Sequence, residues 1–64
     1  MNLAEALSKE IQRNRELLKL YEAIPTGIFG AMAIDSDIKA AIDALASGDV
    51  VKMMQAYARM KNNE

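Results

Sequence analysis

The chain has no cysteine and no histidine among its 64 residues. Their absence removes disulfides, thiolate chemistry and the commonest zinc ligands. Aromatic residues are confined to Tyr21, Phe29 and Tyr57, so a core has to be assembled from Leu, Ile, Met and Ala, a composition suited to packed helices. Long apolar runs are missing too. The longest uncharged run, Ala23 to Ile34, has 12 residues and contains Pro25, Gly27 and Gly30, well short of the roughly 20 needed to span a bilayer. The first residues carry Glu5 and show no basic stretch followed by an apolar one, so they do not read as a secretory signal, and the cytoplasm is the expected compartment. Eight basic residues against nine acidic ones leave a net charge of -1. Neither nucleic acid nor an anionic membrane is therefore an expected partner of the whole molecule.

What is present is helical periodicity. From Gly27 to Ala46 the apolar positions Ala31, Ile34, Ile38, Ala41 and Leu45 step by three and four along one side of a helix, with Ile42 beside them. This central helix opens after the only proline and closes at Gly48. Before it, Asn2 and Glu5 have capping-box spacing, so a first helix starts at Leu3 and runs to about Ala23. Its apolar residues Leu3, Leu7, Ile11, Leu17, Leu18, Leu20, Tyr21 and Ile24 cover an arc of about 200°. Glu10 and Asn14 fall inside that arc; one reading makes them a polar register device, and the other, which polar side chains generally follow, leaves them at its solvent edge.

Ile24, Pro25, Thr26 and Gly27 form the first turn, with Thr26 able to cap the central helix over 27–47. Two helices of ~30 Å joined by so short a link make an antiparallel hairpin. Gly27 and Gly30 each cost ~1 kcal/mol of helix propensity, which implies close packing there. At the second turn, Gly48 is the expected left-handed cap and Asp49 the cap of a third helix over 50–61. Val50, Met53, Met54, Tyr57 and Met60 are expected inward and Lys52, Gln55 and Arg59 outward, while Asn62, Asn63 and Glu64 fray. Folding back from the central helix, the third covers Ile38, Ile42, Leu45, Leu7 and Ile11.

The turn end then stays open, with Leu17, Leu20, Ile24, Ile28, Phe29 and Met32 as an apolar patch larger than soluble monomers usually expose. A chain of this size hides only about 60% of its unfolded surface. With metals and disulfides removed, self-association is the remaining source of stability, and a second copy on a two-fold axis is the simplest cover. The expected architecture is all-α: one three-helix domain, an antiparallel helical hairpin plus a shorter third helix, self-associating.

Catalytic chemistry finds no footing. Any nucleophile or base would come from Ser8, Ser36, Ser47, lysines or carboxylates, and no serine–lysine or paired-carboxylate pattern emerges. Asp35, Ser36 and Asp37 lack the glycine and closing glutamate of a calcium loop, and the two aspartates diverge by about 160° on a helix, with Asp35 placed to pair with Lys39. Gly27 and Gly30 do not continue into a phosphate-cradling motif. No enzyme, cofactor or metal is expected. Ala44 and Gly48 have the small-residue spacing of a helix-turn-helix, but Asp43, Ser47 and Asp49 stand where that motif wants apolar residues, and its reading helix would offer Lys52, Arg59 and Lys61. Met53, Met54 and Met60 read as core more readily than as an adaptable binding stripe. Ala33, Ala40 and Ala44 along the back of the central helix are either room for a close helix neighbour or surface alanines chosen for propensity.

Tyr21-Glu22, Ile24-Pro25, Phe29-Gly30-Ala31, Ala46-Ser47-Gly48-Asp49-Val50 and Ala56-Tyr57 together resemble the pattern of small uncharacterised phage- and prophage-encoded proteins, over roughly residues 15 to 61. The resemblance implies a phage or bacterial origin and an all-helical fold, and brings no activity or site residues. The function expected is a non-catalytic protein–protein interaction module whose partners are itself and a host or phage protein; the alternative is a small dimeric DNA-binding regulator.

Overall fold

The computed structural model describes residues 2–64; Met1, counted in the N-terminal reading above, lies outside it. Three helices, α1 (Leu3–Glu22), α2 (Ile28–Ser47) and α3 (Val50–Lys61), pack as a small bundle, with no strand among the described residues. Asn2 starts α1 by accepting the Glu5 amide at 2.9 Å. α2 begins one residue later than its sequence suggests, with Gly27 rather than Thr26 as its N-cap and no side-chain capping bond. The turn is drawn too tight for anything larger at Gly27: a Cβ there would run into the Tyr21 carbonyl oxygen. The Tyr21 ring also crosses Gly30, where a Cβ would stand 2.6 Å from the ring carbons. Both glycines are thus explained inside the chain, by the fit between the end of α1 and the start of α2.

Gly48 closes α2 at φ 69°, the only positive φ among the described residues, and its amide bonds to the Ala44 carbonyl at 3.0 Å. Ser47 Oγ donates to the same carbonyl and accepts the Asp49 amide. Asp49 then caps α3 by accepting the Lys52 amide at 3.1 Å. Local side-chain bonds therefore fix the whole second turn.

The core gathers Leu7, Ile11, Ile34, Ile38, Ala41, Ala44, Met53, Ala56 and Met60, with Leu3, Leu17, Leu18, Tyr21, Leu45 and Tyr57 packed against it. It lies toward the end remote from Pro25, where three helices meet. Three expectations fail around it. Ile42 is partly exposed, and Val50 and Met54 are more than half exposed, so none of them joins the core. α3 buries only the narrow face of Met53, Ala56 and Met60, because a 12-residue helix laid on a hairpin touches it along a single stripe.

Glu10 and Asn14 are buried, not at a solvent edge. Glu10 is held by its neighbour Arg13, and both Arg13 and Asn14 find partners at the far end of the chain. Asn14 is fully enclosed: its Nδ2 donates to the carbonyls of Glu10 at 2.8 Å and Met60 at 3.3 Å, and its Oδ1 accepts from Asn63 Nδ2 at 2.8 Å. Arg13, ion-paired with Glu10 at 2.8 Å, also donates to the carbonyls of Met60 and Asn63. The Glu10 carboxylate raises the Arg13 pKa above its ordinary value, chiefly by hydrogen bonding. Helix C-termini leave carbonyls without intrahelical partners, and here α1 supplies donors to the end of α3. Asn63 further donates to Asp37, and the Tyr21 hydroxyl to the carbonyl of Glu64. Asn63 and Glu64 are therefore tied to the hairpin where fraying was expected.

Candidate functional site

Beyond that polar clamp the hairpin continues uncovered. Its tip is built by the last turn of α1, the Pro25 turn and the first two turns of α2. Phe29 is 81% exposed and Leu20 64%, while Ile24, Ile28 and Met32 are each at least half exposed. Leu17 differs: it is half-buried against the core. Proline's missing amide and its steric effect on Ile24 end α1 here, and the glycine fit to Tyr21 sets the crossing of the two helices. Both devices bring apolar side chains to the tip without supplying a third helix to cover them.

The six residues do not form a single flat patch. Ile24, Ile28 and Met32 line a groove of about 530 Å³ between α1 and α2, together with Leu18, Tyr21, Glu22, Pro25, Ala31 and Asp35. Leu17, Leu20 and Phe29 stand outside it. On α2 the cause is helical geometry: Ile28 and Met32 are one turn apart on one side, and Phe29 points ~100° away from Ile28. Periodicity alone foresaw the apolar excess at the tip, but dividing it between two sides needed the placement of α1.

Sequence reasoning missed a second apolar surface. Val50, Val51 and Met54 protrude from α3, each more than half exposed. Their signal was present in the apolar residues spread around most of α3, leaving more than its packed stripe can bury.

Polar chemistry at the surface is thinly connected. Asp35 pairs with Lys39 at 2.8 Å, which raises the Lys39 pKa, and Asp37 is engaged by Asn63. The two aspartates point to different partners, as their helical positions required. Among the described residues no three acidic, cysteine or histidine side chains are placed to hold a metal ion. A second groove, between α2 and α3, is lined by Ala40, Asp43, Ala44, Ser47, Lys52, Gln55 and Arg59. No described helix is long and apolar enough to cross a membrane. Compared with family models, with curated proteins and with solved structures, the chain finds no match.

Proposed function

We propose that this chain is a non-catalytic interaction module that associates with itself through the turn end and binds a second protein, as an accessory protein of phage or prophage origin. One observation carries the reading: Leu20, Ile24, Ile28, Phe29 and Met32 are all at least half exposed at one end of the bundle. Single exposed apolar residues are ordinary, but a cluster of large ones marks a contact surface. The phage assignment draws on the sequence resemblance alone, and the cytoplasm remains the proposed compartment.

Leu20→Glu and Phe29→Glu test the surface. Both side chains lie in solvent in the isolated chain, so neither change should alter helicity, and each should lower the molar mass measured by light scattering. An unchanged mass in both variants argues against association through this end.

The alternative, a dimeric DNA-binding regulator, draws on Lys52, Gln55 and Arg59, which share the groove between α2 and α3. Asp43 lines the same groove and opposes phosphate. A salt-dependent shift of duplex DNA in a gel would favour the regulator; no shift favours the protein-binding module.

A further inference from the structure

α3 ends at Lys61, short of the tip, and Asn62 keeps helical dihedral angles. Asn63 and Glu64 then climb the hairpin toward the Pro25 end. Asn63 Nδ2 donates both to Asn14 Oδ1 on α1 at 2.8 Å and to Asp37 Oδ2 on α2 at 3.1 Å, so one amide spans the two arms. Arg13 holds the Asn63 carbonyl at 2.8 Å. Two turns beyond Asn14, ~10 Å along α1, the Tyr21 hydroxyl donates to the Glu64 carbonyl. Tyr21 is also where this segment meets the open groove, which it lines beside Leu18 and Ile28. Its ring lies against Gly30, where a Cβ would stand 2.6 Å from two ring carbons. Glycine gives the ring no side chain to interlock with, so the hydroxyl bond is its directional restraint.

We propose that Asn63 and Glu64 act as a strap that holds the tip of the hairpin closed: seated, it keeps the Tyr21 ring on Gly30, and released, it lets the ring leave and the groove between α1 and α2 widen. The core cannot do this work, because it gathers at the other end of the bundle. The device operates within a single chain and stands whether or not the turn end associates. It makes the shape of the groove depend on a segment 43 residues beyond Tyr21. A partner that fits the wider groove therefore competes with the strap, since binding shifts the balance only toward the form it prefers.

Two full-length variants release the strap at different points. Asn63→Ala removes its hold on Asn14 and Asp37, whereas Tyr21→Phe keeps the ring and removes only the bond to Glu64. Nuclear Overhauser cross-peaks between the ring protons at position 21 and the Gly30 α-protons report the seated ring, and circular dichroism checks that each variant stays helical. Tyr21→Phe leaves every Asn14 bond in place, so it carries the test alone if Asn63→Ala loses helicity. The expected result is strong cross-peaks in the parent chain and a fall of at least half in each variant. The methyl resonances of Ile28 and Met32 should move with them, while those of Ile38 and Ala41 in the core hold their positions. Cross-peaks of parental strength in either variant that stays folded would overturn the strap; association through the turn end is judged separately, by molar mass.

Discussion

Asn14→Ala probes the clamp that decides where α3 ends and where the open surface begins. The side chain is 0% exposed and makes two hydrogen bonds across the bundle, to the Met60 carbonyl at 3.3 Å and from Asn63 at 2.8 Å. At about 1 kcal/mol for each bond, their loss costs ~2 kcal/mol, and the cavity left by truncation adds roughly 1 kcal/mol. Neither partner is stranded by the change: Met60 still accepts from Arg13, and Asn63 still donates to Asp37. The total of ~3 kcal/mol is large against the roughly 3–10 kcal/mol expected for a chain this short. It should lower the thermal midpoint by ten degrees or more in a circular-dichroism melt. Asn14→Leu keeps the number of side-chain heavy atoms but adds bulk at an enclosed site as it removes the bonds, so it too should be destabilising. An Asn14→Ala melt superimposable on that of the parent chain would refute the clamp, as would amide exchange at Asn63 no different between the two.

Three further substitutions test other parts of the account. Gly48→Val places a β-branched residue at φ 69° with nothing within 4 Å of its Cβ, so the expected loss of ~1–2 kcal/mol is conformational; an unaltered denaturant midpoint would contradict it. Gly30→Ala drives a methyl group against the Tyr21 ring and should cost ~1–3 kcal/mol, which Tyr21→Ala in the same chain should partly relieve in a double-mutant cycle. Arg13→Ala leaves the Glu10 carboxylate without its cation and frees two carbonyl acceptors at the end of the chain. Because the Arg13 side chain is itself 42% exposed, the loss should be ~1–2 kcal/mol, below that of a fully buried pair, and Arg13→Ala combined with Glu10→Gln should lose less than the sum of the two.

Most of the architecture was legible because its signals are local. Asn2, Gly48 and Asp49 act on amides and carbonyls within five residues, and Pro25 acts on its neighbour, so helix ends follow from short stretches of sequence. The open tip was legible from lengths alone: a 12-residue helix returning from the end of α2 cannot reach the other end of a 20-residue hairpin. The face of α3 was not legible. Val50, Val51, Met53, Met54, Ala56, Ala58 and Met60 surround most of the helix, and only contact with α1 and α2 selects Met53, Ala56 and Met60. The burial of Asn14 was hidden for a related reason, since the groups that satisfy it across the bundle, on Met60 and Asn63, are more than forty residues away; Glu10 is satisfied locally by Arg13, whose other partners, Met60 and Asn63, are equally distant. The split of the tip between the groove lined by Ile24, Ile28 and Met32 and the separate Leu20 and Phe29 likewise depends on how α1 crosses α2.

The central claim is that the apolar excess at the Pro25 end is covered by another copy of the chain. Sedimentation equilibrium of the unaltered protein over a range of concentrations tests it most directly. The account predicts a mass above 7.0 kDa that rises with concentration and falls in Phe29→Glu; a constant 7.0 kDa at every concentration would contradict it.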